Sequence, residues 1–399
     1  MALATLVPIL VVLVLTAFAA GYVLARRRHA APQVAVEDLR EREGEREPET
    51  EAVAFVGDRF VRFEHVAARG TTSTVLDDHA DEWRAAMREV GEQLRGADVA
   101  AAVFAHGSFV GTDPLSALSV VGTSPARRAL TKAFGRKTRA YVDRLLGDLG
   151  NFGSSYVRLF EQAIGGAIPC TTFVWSSENH HVGRLEGALG LVRVLATHAE
   201  LSAPEKRILV VGHSHAGQVF ALVTQLLSRS LASEAILDVA RARSLDVSSL
   251  EVDLRSLSRC GLDFVTFGAP TRYAWAKVSN VRSLHVVHRR ESPETPRQRL
   301  SGADWVRHFG SGSSDFPAFA SNERRLNATL ESALAVPPVA LTESNLDDHP
   351  HGELVFVDYG GERLASLVSS GLGHGVYTRL DAMLFNASLV ATRLYRPSP

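Results

Sequence analysis

Cysteine is scarce: two residues in 399, too few to staple a disulfide scaffold. Neither sign of charge is in excess. The chain has 43 Lys and Arg against 44 Asp and Glu, a formal net charge of −1. No global field therefore recruits nucleic acid or an anionic surface, and either partner would need a local patch. Internal repeats are lacking, and so is a low-complexity bulk. With 46% apolar and 22% charged residues, a collagenous or wholly disordered chain is excluded. The length allows one large α/β domain or two ordinary ones.

The start of the chain departs from this average. From Ala2 to Ala25 run 24 residues without a charge, followed at once by Arg26, Arg27 and Arg28. As a helix this run would span about 36 Å, enough for a hydrocarbon core of about 30 Å with some tilt. A cleaved signal peptide is the rival reading, with Ala17-Phe18-Ala19 as the cut. It fits less well, because no Lys or Arg precedes the apolar run, which continues past that point. The expectation is a retained single-pass anchor over residues 1–28. The three arginines on its carboxyl flank then place the bulk of the chain in the cytoplasm. Signal cleavage would instead leave a secreted or periplasmic protein. Residues 29–52 read as a charged linker: eight acidic residues and three arginines lie between Glu37 and Glu51, with too little apolar surface to offset chain entropy.

From residue 53 to 399 short apolar runs alternate with helical segments. Strands are expected near Val53–Val56, Arg59–His65, Val99–Ala105, Thr171–Trp175, Arg207–Val211, Asp263–Phe267, Ser283–His288 and Glu353–Asp358. Helices are expected over Asp77–Leu94, Val182–Thr197, Ala216–Ser228 and Val376–Tyr395, with a helical, polar stretch over 229–260. Strands alternating with helices predict a mostly parallel sheet covered on both faces. A helical insertion at about 114–165 is expected to cap the site. Its Arg127, Arg128, Lys132, Arg136, Lys137 and Arg139 form a basic cluster, either a solvated helix face or a contact for anionic headgroups.

The chemistry concentrates at one turn. Arg207-Ile208-Leu209-Val210-Val211-Gly212-His213-Ser214-His215-Ala216-Gly217 reads as an apolar strand, a sharp turn carrying a serine, and a helix. Small residues two before and two after the serine, here Gly212 and Ala216, let the backbone cross itself tightly. Such a turn raises the Ser214 hydroxyl at the positive end of the following helix and aims the His215 N–H at a developing oxyanion.

This segment resembles the α/β-hydrolase superfamily, and Gly-His-Ser-His-Ala-Gly looks like its lipase and esterase members. Val103-Phe104-Ala105-His106-Gly107-Ser108 resembles the oxyanion loop after the third strand. Val265-Thr266-Phe267-Gly268-Ala269-Pro270 resembles a segment of class 3 lipases. Gly373-His374-Gly375 follows the last strand, where the superfamily keeps its histidine. The resemblance implies an α/β-hydrolase fold and a serine esterase or lipase, with Ser214 as nucleophile and His374 as base. Asp304 is the preferred acid, and Glu291 is the alternative. Oxyanion donors would be the N–H groups of His215 and Ser108.

Among the other histidines, His213 and His215 are expected to point away from the nucleophile as structural or pocket-lining groups. His106, Gly107 and His213 are candidate substrate contacts, and His180 and His181 candidate pocket walls. No cofactor and no metal are expected, since the vicinal His180-His181 pair is a poor ligand set. The expected partners are an ester or lipid substrate and, through the anchor, a membrane. A hydrolase-fold scaffold without turnover remains an alternative, as do an acyltransferase and a thioesterase using the same groups. Cys170 and Cys260 would fall on strands three positions apart, too far for a bridge.

Overall fold

A computed structural model describes residues 55–56, 60–62, 80–107, 152–270, 272–289, 304, 321–334, 352–359 and 374–395. Eight strands form one sheet: β1 (Phe55–Val56), β2 (Phe60–Arg62), β3 (Val99–Ala105), β4 (Cys170–Phe173), β5 (Arg207–His213), β6 (Gly261–Phe267), β7 (Val281–His288) and β8 (Glu353–Asp358). Their order is β1-β2-β8-β7-β6-β5-β3-β4. The six strands β3 to β8 are all parallel. The short β1–β2 hairpin is antiparallel within itself and adds β2 to the edge of β8.

The expected α/β architecture is therefore present, and the strand residues explain it. Successive side chains point to opposite faces, and both faces are covered by helices. Phe104, Leu209, Val211, Val265, Phe267 and Val286 bury on one face, against α1 (Ala80–Gly96), α2 (Ser154–Ala163) and α8 (Met383–Tyr395). Val103, Ile208, Val210, Leu262 and Phe264 bury on the other. That face carries α3 (His181–Leu201), α4 (Ala216–Ser228), α5 (Leu231–Ala242), α6 (Leu250–Leu257) and α7 (Ser321–Leu334). This is why the strands read as unbroken apolar runs rather than alternating ones.

The order also places the site. After β3 the chain moves outward to β4, then returns past β3 to β5 and continues to β8. The direction reverses between β3 and β5, and crevices in open parallel sheets form outside the carboxyl ends of strands at such a point. Ala105 pairs with Gly212 and His213 with Phe267. The turns carrying His106-Gly107, Ser214 and Gly268 therefore leave the sheet side by side.

Several boundaries differ from expectation. The 229–260 stretch, expected to be helical, holds the two helices α5 and α6. The last helix begins at Met383, preceded by two 3₁₀ turns over Val376–Thr378 and Leu380–Ala382. The carboxyl end of the supposed cap is core instead: α2 buries Tyr156, Val157 and Phe160, and Phe104 packs edge-on against all three rings of Phe152, Tyr156 and Phe160. The rest of the insertion, with its basic cluster, lies outside the described residues, as do the 1–28 segment and the linker. Among the described residues no single helix is long and apolar enough to cross a membrane. Cys170 and Cys260 are free thiols on or beside β4 and β6, three positions apart in the sheet.

Candidate active site

At the end of β5 the backbone turns sharply, and Ser214 takes a φ of +56°. That left-handed conformation is costly for a side chain with a Cβ and persists only where its surroundings demand it. Here they do. The Ser214 N–H donates to the Phe267 carbonyl at 2.9 Å, and the Ser214 carbonyl accepts from the Gly217 N–H at 3.0 Å. A Cβ on Gly212 would lie 2.9 Å from the Ala216 Cβ and 2.5 Å from the Phe220 ring, so the small residues do permit the crossing. The helix that follows, α4, starts at Ala216, with His215 at its N-cap.

His374 lies behind this turn and is tied to it. The His213 Nε2–H donates to the His374 carbonyl at 2.8 Å, and the two imidazole centroids are 4.5 Å apart. Through Nε2, His213 is a strut for the His374 loop. His374 Nδ1 is 2.9 Å from each carboxylate oxygen of Asp304. A carboxylate there holds the ring proton on Nδ1 and leaves the lone pair on Nε2. His374 and Asp304 are both more than nine-tenths buried. Glu291 and Ser108 lie outside the described residues.

The Ser214 hydroxyl differs from expectation. Its Oγ is 3.4 Å from His215 Nδ1, so the His215 ring turns toward the nucleophile rather than away. Among the described residues His374 Nε2 has no hydrogen-bond partner, so the Ser214–His374 bond is not made in this conformation. Ser214 is itself only 5% exposed, so its hydroxyl is covered.

The loop after β3 closes over Ser214 from the other side. A Cβ on Gly107 would sit 2.8 Å from the Ser214 Cβ, so this backbone passes as close to the nucleophile as the expected oxyanion loop would. His106 has a structural part. It is fully buried; its Nε2 accepts the Trp175 N–H at 3.2 Å, and its carbonyl accepts the indole N–H at 2.9 Å. It fastens the β3 loop to the β4 loop.

His180 and His181 are likewise structural. His180 Nδ1 accepts the Gly183 N–H at 3.1 Å and caps α3. His181 bridges the Tyr273 hydroxyl and Glu331, which secures α7 on α3. Among the described residues no group of three or more His, Cys, Asp or Glu is placed to hold a metal ion.

Compared with protein-family models, curated proteins and solved structures, the chain matches none.

The geometry of the site adds a residue the sequence did not single out. The Tyr377 hydroxyl donates to Asp304 Oδ2 at 2.8 Å. Burial first, and then the Asp304 charge, push this phenol well above its usual range. The signal was available in the spacing, since Tyr377 follows His374 by three residues. It reads, however, as the apolar face of a helix that begins later.

Proposed function

We propose that this protein is a serine hydrolase of α/β-hydrolase type, anchored in a membrane by its first 28 residues, that cleaves carboxylic esters through an acyl-enzyme on Ser214. One observation carries the reading: the nucleophile-type turn, with Ser214 at φ +56°, is tied through His213 to a histidine that a buried aspartate holds. Serine, acid and histidine keep the order Ser214, Asp304, His374 along the chain.

In the proposed reaction Ser214 Oγ leaves His215 by rotation about χ1 and meets His374 Nε2. His374 takes the hydroxyl proton as Oγ bonds to the ester carbonyl carbon. Asp304 holds the imidazole and stabilises its cation. The N–H groups of His215 and Ser108 receive the carbonyl oxygen, and one such donor is typically worth about 3 kcal/mol in the transition state. The tetrahedral adduct collapses, the carbon–alkoxide bond breaks, and the imidazolium gives its proton to the alkoxide. Water, deprotonated by His374, then releases the acid and restores Ser214.

A second reading, a hydrolase-fold scaffold without turnover, is favoured by a different observation: Ser214 Oγ bonds His215 and not His374. A fluorophosphonate probe separates the two. The esterase reading predicts a covalent adduct on Ser214 and hydrolysis within a series of p-nitrophenyl esters, both lost in Ser214→Ala while the protein stays folded. An unlabelled Ser214 together with inert esters would leave the scaffold.

A further inference from the structure

Tyr377 is held more firmly than a core tyrosine needs to be. Its hydroxyl accepts the His288 backbone N–H at 2.8 Å. Its carbonyl accepts the Asn386 side-chain N–H at 2.8 Å, and Asn386 in turn accepts the Tyr359 hydroxyl at 2.7 Å. Its ring packs against Phe267, His213 and Tyr359 at centroid distances of 6.0, 5.8 and 5.3 Å. The ring also stands edge-on to His374, at 89° and 6.3 Å. A phenol oxygen that already accepts from His288 has its own proton to place, and Asp304 Oδ2 lies 2.8 Å away. The backbone beside it leaves no slack. Gly268 has a φ of +60°, and a Cβ there would lie 2.5 Å from the Tyr377 ring and 2.7 Å from Asp304 Oδ2.

We infer that Tyr377 is a positioning residue: through its hydrogen bond to Asp304 it fixes the carboxylate against His374 and moderates the negative charge the imidazole meets. The inference rests on the proposed triad and deepens it. A carboxylate shared between a phenol and an imidazole presents less charge to each than one that faces the imidazole with that phenol removed. The phenol is itself driven to stay protonated by burial and by Asp304, so it donates throughout the working range. The titratable groups around this assembly are Asp304, His213, His288, Tyr359 and His374. Of these, Asp304 is the acidic group that touches both the phenol and the base. Removing the Tyr377 hydroxyl therefore acts on His374 through that one carboxylate.

The test uses the full chain with Tyr377→Phe and two readouts. The first is the low-field proton resonance of the His374 Nδ1–H, which needs no turnover. The second is ester hydrolysis against pH. The expected results are a resonance moved further downfield and an acid limb of activity moved up by about half a pH unit. The kcat should fall about tenfold, the scale of one hydrogen bond to a charged group, with KM within about twofold. Should the phenylalanine variant not fold, a fluorotyrosine placed at 377 keeps the ring and donates more strongly; it should move both signals the opposite way. A resonance and a limb that stay in place, even with a lower kcat, would overturn the inference and leave Tyr377 as packing. A resonance that moves in a protein that neither labels nor turns over would sink the esterase reading and keep the Asp304–Tyr377 coupling.

Discussion

Of the buried carboxylates among the described residues, Asp263 and Asp304 are partnered in different ways. Asp263, early on β6 and fully buried, accepts paired hydrogen bonds from Arg207 on β5 and from Arg282 on β7, and a further one from the Tyr395 hydroxyl of α8. Burial pushes this carboxyl up, but the hydrogen bonds and charges of the two arginines outweigh it and hold the group below its usual range. The result is a closed cluster that joins three strands and the last helix. Asp304 lies at the other end of the strands. It faces an imidazole and a phenol. A guanidinium fixes charge permanently, whereas an imidazole can gain and lose a proton near neutrality. The same residue type thus serves as a rivet at one end and, in the proposed reaction, as half of a proton-handling pair at the other.

Exchanging each carboxylate for its amide should separate the two roles. Asp304→Asn is expected to lower kcat by about 10⁴-fold, the effect of a misheld imidazole tautomer in such triads, while the melting temperature changes little. Asp263→Asn should do the reverse. Two part-exposed arginines lose their counter-charge, which costs about 2 kcal/mol, and kcat of the protein that remains folded stays at the wild-type value. If Asp263→Asn lowered kcat and spared the melting temperature, the two ends would not be distinct.

The acid limb of stability sharpens the contrast. The folded Asp263 carboxyl lies below its unfolded value of about 3.9. Its contribution is therefore complete above that value and is lost as pH falls below it. Thermal melts between pH 6 and pH 3 should show wild type losing stability as pH drops, with a shallower loss in Asp263→Asn. A smaller effect is expected from His213→Phe. It removes the donor to the His374 carbonyl, worth about 1 kcal/mol, and should lower kcat by about fivefold without altering KM.

The thiols give the smallest effect. Burial, and then the nearby Glu161, push Cys170 up to about 12. Burial likewise pushes Cys260 up to about 11, against the opposing charge of Arg207. Neither thiol should react with iodoacetamide at pH 8 until the protein unfolds, a result that mass spectrometry of the alkylated protein would check.

Much of the architecture was legible because the strands are buried on both faces, so that Val99–Ala105 and Ile208–Val211 had no polar residue to blur them. Glu353–Asp358 and Ala216–Ser228 were placed to the residue. Helix α7 was overlooked although Leu326, Leu330 and Leu334 form its buried stripe; its remaining residues are polar enough to pass for loop. The last helix was read too long because Val376 and Tyr377 look apolar-periodic, whereas the chain there winds as 3₁₀ turns and Asn386 reaches back to the Tyr377 carbonyl. In the candidate site, the turn pattern pointed to Ser214, and the family resemblance to His374 and to Asp304 or Glu291. The turning of His215 toward Oγ, the His213 strut and the Tyr377 bond depend on rotamers and on contacts far apart in the chain. Local pattern does not carry these.

The most direct measurement of the central claim is the mass of Ser214 after a rapid acid quench of the reaction with a p-nitrophenyl ester. The account predicts an acyl group on Ser214 in wild type, formed far more slowly in His374→Ala and absent in Ser214→Ala. Ester turnover with Ser214 unmodified, or acylation as fast without His374 as with it, would contradict the account.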